Sequence, residues 1–179
     1  MRLDPIVISP YDPRWPQLFE QERDRVKPVL SPWLVRPIEH IGSTSIHGMP
    51  AKAIIDMVAV IGVIEDVLGA VGPLSALGWF QAPEPGDDGH RRRSFCTPSI
   101  ANRTHHLHVV EETSDQWHGL LAFRDYLRAR PGLTAAYAAL KRELATVHGS
   151  DPNRREPYRR GKGLFIQEVT ELGLADGVR

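Results

Sequence analysis

The chain has almost no cysteine, no excess of either charge and no long apolar run, and each lack excludes something. Cys96 is the only cysteine among 179 residues. No intramolecular disulfide can form, and no Cys-x-x-Cys pair exists for zinc or redox exchange. Lys and Arg number 22, as do Asp and Glu, so no global field draws the chain to nucleic acid or to an anionic membrane. The N-terminus, Met-Arg-Leu-Asp-Pro, has no apolar signal core, and no segment approaches a membrane span. The expected location is therefore the cytoplasm, with no membrane partner. Several catalytic signatures are also missing. There is no Gly-x-x-x-x-Gly-Lys-Ser/Thr loop, no Gly-x-Gly-x-x-Gly nucleotide turn and no Gly-x-Ser-x-Gly elbow.

What is present fits one domain with a real core over residues 1–179. Ile6 to Ile8 reads as a short strand. Asp12 resembles an N-cap before Pro13, and Trp15, Leu18, Phe19, Val26 and Val29 recur at helical spacing, predicting a helix over 13–30 closed by Pro28 and Pro32. Trp33 to Ile41 is a strand candidate interrupted by Pro37. Ala53 to Ile61 is apolar except for Asp56 and predicts a buried strand. A helical stripe runs from Ile64 to Leu77. Strands follow at Trp79–Gln81, Arg93–Thr97 and Thr104–Val110. Helices over about 115–130, 132–148 and 157–173 complete the chain. This order predicts an α+β or mixed-sheet α/β fold: a small sheet flanked by helices, with a helical C-terminal part.

The candidate chemistry gathers in residues 38–57. Gly42 permits close backbone approach, and the Ser43, Thr44 and Ser45 hydroxyls can donate to phosphate oxygens. The competing reading is a capped turn. Lys52 follows, and Asp56 sits alone in its apolar strand. A carboxylate there needs a metal, a cation or backbone amides, and the alternatives to a metal are ion pairs with Lys52, Arg103 or Arg124. In strand alternation His106 and His108 share one face. Beside Ala53–Ile61 they and Asp56 can converge on one ion, or they can form a plain polar network. His40, just before the Gly-Ser turn, is expected to join the same site. His47 and His90 read as loop histidines, and Arg91-Arg92-Arg93 beside Asp87-Asp88 as a solvated hairpin loop. Lys52, Arg124 and Lys162 stand among apolar or aromatic neighbours and can point inward at an anion.

Taken in order, these segments resemble the GrpB family, also described as UPF0157. The resemblance rests on Tyr11-Asp12-Pro13-x-Trp15, Glu39-His40-Ile41-Gly42-Ser43-Thr44-Ser45-Ile46-x-Gly48 and Ala51-Lys52-x-Ile54-Ile55-Asp56. It continues through His106-Leu107-His108-Val109-Val110, Phe123-Arg124-Asp125-Tyr126-Leu127-Arg128, Leu140-Lys141 and Tyr158 with Lys162. It implies a fold of the polymerase-β nucleotidyltransferase type, with that core over about 1–112 and a helical part over about 113–179. It also implies triphosphate on Gly42 and Ser43, divalent metal (Mg, Mn or Zn) on Asp56, and Glu39, His40, Arg124 and Lys162 as supporting or anion-contacting groups. The superfamily pattern pairs that acid with a second one two residues on, where this chain has Val58. One carboxylate does not template a two-metal displacement, so His106 and His108 become the candidate replacement ligands. A GrpB-like domain fused to dephospho-CoA kinase in some bacteria implies a link to coenzyme A metabolism. The expected function is thus a nucleotide or phosphate pocket with one metal. Its alternative is a non-catalytic interaction or folding-helper module with a protein partner, and RNA binding is disfavoured by the balanced charge.

Overall fold

The computed structural model describes residues 5–85, 87, 91–149 and 155–177. Its centre is a five-stranded sheet in the order β1-β2-β5-β4-β3. The strands are β1 (Glu39–Ile41), β2 (Ile55–Ile61), β3 (Phe80–Gln81), β4 (Arg92–Pro98) and β5 (Arg103–Glu111). Only the central β2–β5 pair is parallel; the pairs β1–β2, β3–β4 and β4–β5 are antiparallel. Burial on both faces explains why β2 reads as a nearly unbroken apolar run.

Strand alternation assigns each face its task. Ile55, Met57, Ala59, Leu107, Val109 and Phe95 point one way and form the main core. They pack on Trp15, Val26 and Leu30 of α1 (Trp15–Leu30) and on Ala70 and Leu74 of α2 (Leu68–Ala76). The other face carries Ile41, Val58, Val60 and Val110, which meet Trp117 of α3 (Gln116–Arg128). The remaining helices are α4 (Pro131–His148), α5 (Arg155–Gly161) and α6 (Gly163–Ala175). A third cluster joins Ile46 and Met49 of the Gly-Ser loop to Leu127, Tyr137 and Val169 of the helical part.

Several expectations need correction. The first helix begins at Trp15, not Pro13: Asp12 instead accepts the Arg14 amide on Oδ1 and the Trp15 amide on its carbonyl. Pro28 lies inside the last turn of α1, which runs on to Leu30. Trp33 to Ile41 contributes only three strand residues, because Pro37 lacks a ladder donor, and Leu34 keeps a single bridge to Ile61. Ile6 to Ile8 forms no strand; Ser9 bridges Ala51. The stripe from Ile64 opens with a 3-10 turn, Ile64–Val67, before α2. The last predicted helix breaks at Lys162, between Gly161 and Gly163, into α5 and α6; glycine is a poor helix former, and a Cβ on Gly161 would lie 2.5 Å from Leu144 Cδ2.

Arg91-Arg92-Arg93 is not a solvated loop. Arg91 pairs with Glu111 at 2.6 Å, and Arg92 forms a buried pair with Asp87 at 2.6 Å. Desolvation alone would disfavour Asp87, so its guanidinium partner is what allows it to be buried. The rest of the Pro-Gly-Asp-Asp-Gly segment (Gly86, Asp88, Gly89) and His90 lie outside the described residues.

Candidate metal and anion site

The ladder builds the site from two adjacent rows of side chains. Ile41, Asp56 and His106 are register partners across β1, β2 and β5, and Glu39, Val58 and His108 form the next row. Residues in register share a face, so Asp56, His106 and His108 converge. One ligand atom from each lies within 4.8 Å of the others.

Hydrogen bonds orient both imidazoles. Asp56 Oδ1 lies 2.8 Å from His106 Nδ1. A carboxylate only accepts, so His106 Nδ1–H donates, and His106 Nε2 is buried without a hydrogen-bond partner. Ser94 Oγ donates to Asp87 Oδ1 at 3.1 Å and lies 3.2 Å from His108 Nδ1. Its one proton being taken, Ser94 accepts from His108 Nδ1–H, and His108 Nε2 keeps the lone pair. A histidine metal ligand normally has its second nitrogen tied to a carboxylate or similar acceptor. Here the Asp87–Ser94 pair supplies that tie for His108. Neither Asp87 nor Ser94 has a local sequence signal, because His108 meets Ser94 only across the β4–β5 ladder, and Asp87 joins through Ser94.

Charge states match that use. Burial opposes ionisation of Asp56, but the His106 hydrogen bond and the charges of His106, His108 and Lys52 outweigh it and hold the carboxyl down to about 2. Burial pushes His108 down to about 4 despite Asp56, and His40 likewise to about 4. Both imidazoles are neutral at pH 7, and for His108 that is the metal-binding form. These histidines bind protons near pH 6.5 when unfolded and only near pH 4 when folded. The unfolded state therefore takes up more protons between those values, and stability falls as pH drops from 6.5 to 4. Urea midpoints are expected to decline through that window; a flat midpoint would contradict the buried neutral imidazoles.

Gly42 serves the acid rather than a ligand directly. Its φ is +69°, and a Cβ there would stand 2.6 Å from Asp56 Oδ2. Only glycine lets the loop backbone approach that carboxylate so closely. After Gly42 the hydroxyls diverge. Thr44 donates to the Ile54 carbonyl at 3.0 Å and Ser45 to the Gly42 carbonyl at 2.6 Å, so both are engaged within the loop. Ser43 is half-buried and lines the cleft.

The cleft has a volume of about 1230 Å³ and holds Gly42, Ser43, Asp56, His106 and His108 together with three lysines. Lys52 and Lys162 lie 5.9 and 4.6 Å from the Tyr158 ring centroid, and Lys141 lies 4.8 Å from that of Tyr137. Burial pushes Lys162 down to about 8, with Asp56 opposing. Sequence reasoning passed over Lys141. Its signal was a lysine at i+4 from Tyr137 on the inward face of a helix.

Three predicted supporting residues stand outside the cleft. His40 points to the opposite face, in register with Met57, stacks on Phe19 at 4.8 Å and bonds Thr44 at 3.0 Å. Arg124 donates to Glu39 at 2.8 Å, to the His40 carbonyl at 2.9 Å and to Asp125. Neither Arg124 nor Arg103 pairs with Asp56; Arg103 bonds Glu84 at 2.6 Å. Arg159 also holds Glu84, which ties α5 to the cleft rim. His47 lies 4.9 Å from Tyr11, ring to ring.

Comparison with known proteins gives this geometry a family setting. A family model described as GrpB protein matches residues 5–172. The UPF0157 protein YqkA of Bacillus subtilis is 37% identical over 166 residues, covering 93% of the chain. The chain spans 46% of that relative's length. A dephospho-CoA kinase of Mycolicibacterium paratuberculosis is 27% identical over 187 residues, with 87% of the chain matching 46% of the kinase. The crystal structure of GrpB from Enterococcus faecalis superposes with a TM-score of 0.84 at 30% identity, over 97% of this chain and all (100%) of that one. The Cid1 poly(U) polymerase superposes with a TM-score of 0.50 at 14% identity, over 78% of this chain and 43% of that one. That likeness concerns the fold, which is nucleotidyltransferase-like.

Proposed function

We propose that this chain, which belongs to the GrpB family, binds a nucleotide or a related phosphorylated small molecule beside one divalent metal ion. The convergence of Asp56, His106 and His108 opposite three lysines carries this reading. The ligand set fits a metal: a carboxylate and two imidazoles, with one ligand atom from each within 4.8 Å of the others. Two nitrogens favour a transition metal such as zinc over magnesium. A divalent ion there would polarise a phosphoryl oxygen or acidify water. Lys52 and Lys162 would balance the phosphate charge, Ser43 would contact it, and Gly42 would keep the acid against the loop. Cid1 is described as a poly(U) polymerase. RNA as a partner for this chain is disfavoured by its balanced charge.

Transfer to an external acceptor does not follow from this geometry, since Val58 leaves one acid where two-metal displacement needs more. The second reading, a non-catalytic module, draws on the same observation: Val58 is fully buried against Ile41, Val60 and Trp117. A link to coenzyme A metabolism draws on the likeness to dephospho-CoA kinase.

A thermal-shift series with nucleoside triphosphates, coenzyme A and dephospho-coenzyme A, each with Zn, Mn or Mg, tests the reading. A ligand at a hundred times its Kd stabilises by about 2.7 kcal/mol. Asp56→Asn should abolish the metal-dependent shift yet cost only about 1 kcal/mol, because an amide oxygen can still accept from His106. No shift with any combination favours the non-catalytic module. A loss of about 3–5 kcal/mol in the variant would mean that Asp56 is there as the anion of a buried pair instead.

A further inference from the structure

Lys141 is a buried lysine with 3% exposure and, among the described residues, no carboxylate at salt-bridge distance. Its Nζ lies 2.9 Å from Ser43 Oγ and 2.8 Å from the Pro50 carbonyl. The cations that act on it are Lys162 at the α5–α6 junction, Arg142 on its own helix and Lys52 on the segment before β2, while the Asp56 carboxylate acts on its neighbours Tyr137 and Lys162. Tyr137, also on α4, covers it with its ring. Ser43 opens on the cleft next to Gly42, whose backbone abuts the Asp56 carboxylate.

We propose that Ser43 and Lys141 form a nucleophile–base pair, and that Ser43 Oγ accepts the nucleotidyl group of a nucleoside triphosphate bound in the cleft. A hydroxyl within hydrogen-bond reach of a base, itself oriented by a third group, is the arrangement that activates a weak nucleophile. The Pro50 carbonyl is that third group: it takes one N–H of Lys141 and aims the remaining valence at Ser43. The amine form is accessible, because burial and the surrounding cations push Lys141 down to about 7. In that form the 2.9 Å contact reverses, with Ser43 Oγ–H donating to the Nζ lone pair. Val58 gives the pair its purpose. Without a second acid to hold an ion for an incoming hydroxyl, an attacking oxygen needs a protein base.

The step balances. Lys141 Nζ takes the Ser43 hydroxyl proton while the Oγ–Pα bond forms. The Pα–O–Pβ bond breaks, and pyrophosphate leaves with the electron pair. The products are a nucleotidyl ester on Ser43 and an ammonium on Lys141. This rests on the nucleotide reading above, so binding and labelling must be read separately.

The full chain is incubated with Mn and each of ATP, GTP, CTP and UTP, labelled at either the α or the γ phosphorus. Bound label is followed by gel and by peptide mass, and nucleotide binding by thermal shift. The expected result is α-label on Ser43, faster at pH 8 than at pH 6, and absent from Ser43→Ala. Lys141→Arg keeps a cation that cannot accept a proton; it should retain binding while losing at least about 100-fold in labelling rate. If Lys141→Arg unfolds, Ser43→Ala, which removes only a hydroxyl, decides the assignment. Binding without α-label, γ-label in its place, or full labelling in a folded Lys141→Arg protein overturns the pair and spares the nucleotide reading. No nucleotide binding overturns both.

Discussion

Gly42→Ala is expected to lower stability by at least about 3 kcal/mol and to abolish metal binding together with it. Two costs add. The backbone at Gly42 has φ +69° and ψ −174°, a region that only glycine adopts readily, at about 1–3 kcal/mol for another residue. The new methyl would also stand 2.6 Å from Asp56 Oδ2 and 3.2 Å from Asp56 Cβ. Either the loop lifts off β2 or the carboxylate rotates away from His106 Nδ1. Rotation breaks the bond that orients the His106 ring, so the ligand set is lost as well as the fold energy. Gly48 supplies the control: its φ is +74°, but a Cβ there meets nothing within 4 Å. Gly48→Ala should cost about 1–2 kcal/mol of backbone strain and leave metal affinity unchanged. Urea unfolding and zinc titration of both variants separate strain from contact. A Gly42→Ala protein within about 0.5 kcal/mol of the parent, still binding zinc, would refute the close approach.

The same glycine shows how far a sequence can be read. Gly42 was legible as a position where backbone can approach a ligand closely, with an ordinary capped turn as the competing reading. What approaches was not legible, since Asp56 lies fourteen positions on, across a ladder. Alternation alone placed His106 and His108 on one face, and the apolar run around Asp56 predicted a central strand; the parallel β2–β5 register then sets Asp56 beside His106. Where Asp87 and Ser94 would lie depended on long-range contacts that leave no spacing in the chain. Ser and Thr hydroxyls satisfy nearby backbone carbonyls as readily as ligands, and those of Thr44 and Ser45 do so here. His40 misled by one residue of alternation, which sends it to the opposite face from Asp56.

Val58→Asp is expected to destabilise the protein by about 3–5 kcal/mol, the usual cost of an uncompensated buried charge, and added Mn or Mg should not recover it. By sequence this change merely restores a missing ligand two residues after Asp56. By packing it does something else. Val58 has 0% exposure and sits among Ile41, Val60, Val110 and Trp117, beneath α3 and outside the cleft lining. Its ladder neighbours are Glu39 and His108. A new carboxylate would thus face a carboxylate already held by Arg124 on one side, and on the other an imidazole that burial keeps neutral. Neither neutralises it, and like charges opposed across a sheet repel. Trp117 cannot retreat without giving up its Nε1 bond to the Glu112 carbonyl, 3.1 Å away. The second ligand position has therefore become part of the wall that joins the sheet to the helical half. Melting curves with and without divalent ions decide the matter, together with the number of Mn ions bound at saturation. Recovery of the parent melting temperature with two bound ions would show that the position still opens on the site and that the wall is dispensable.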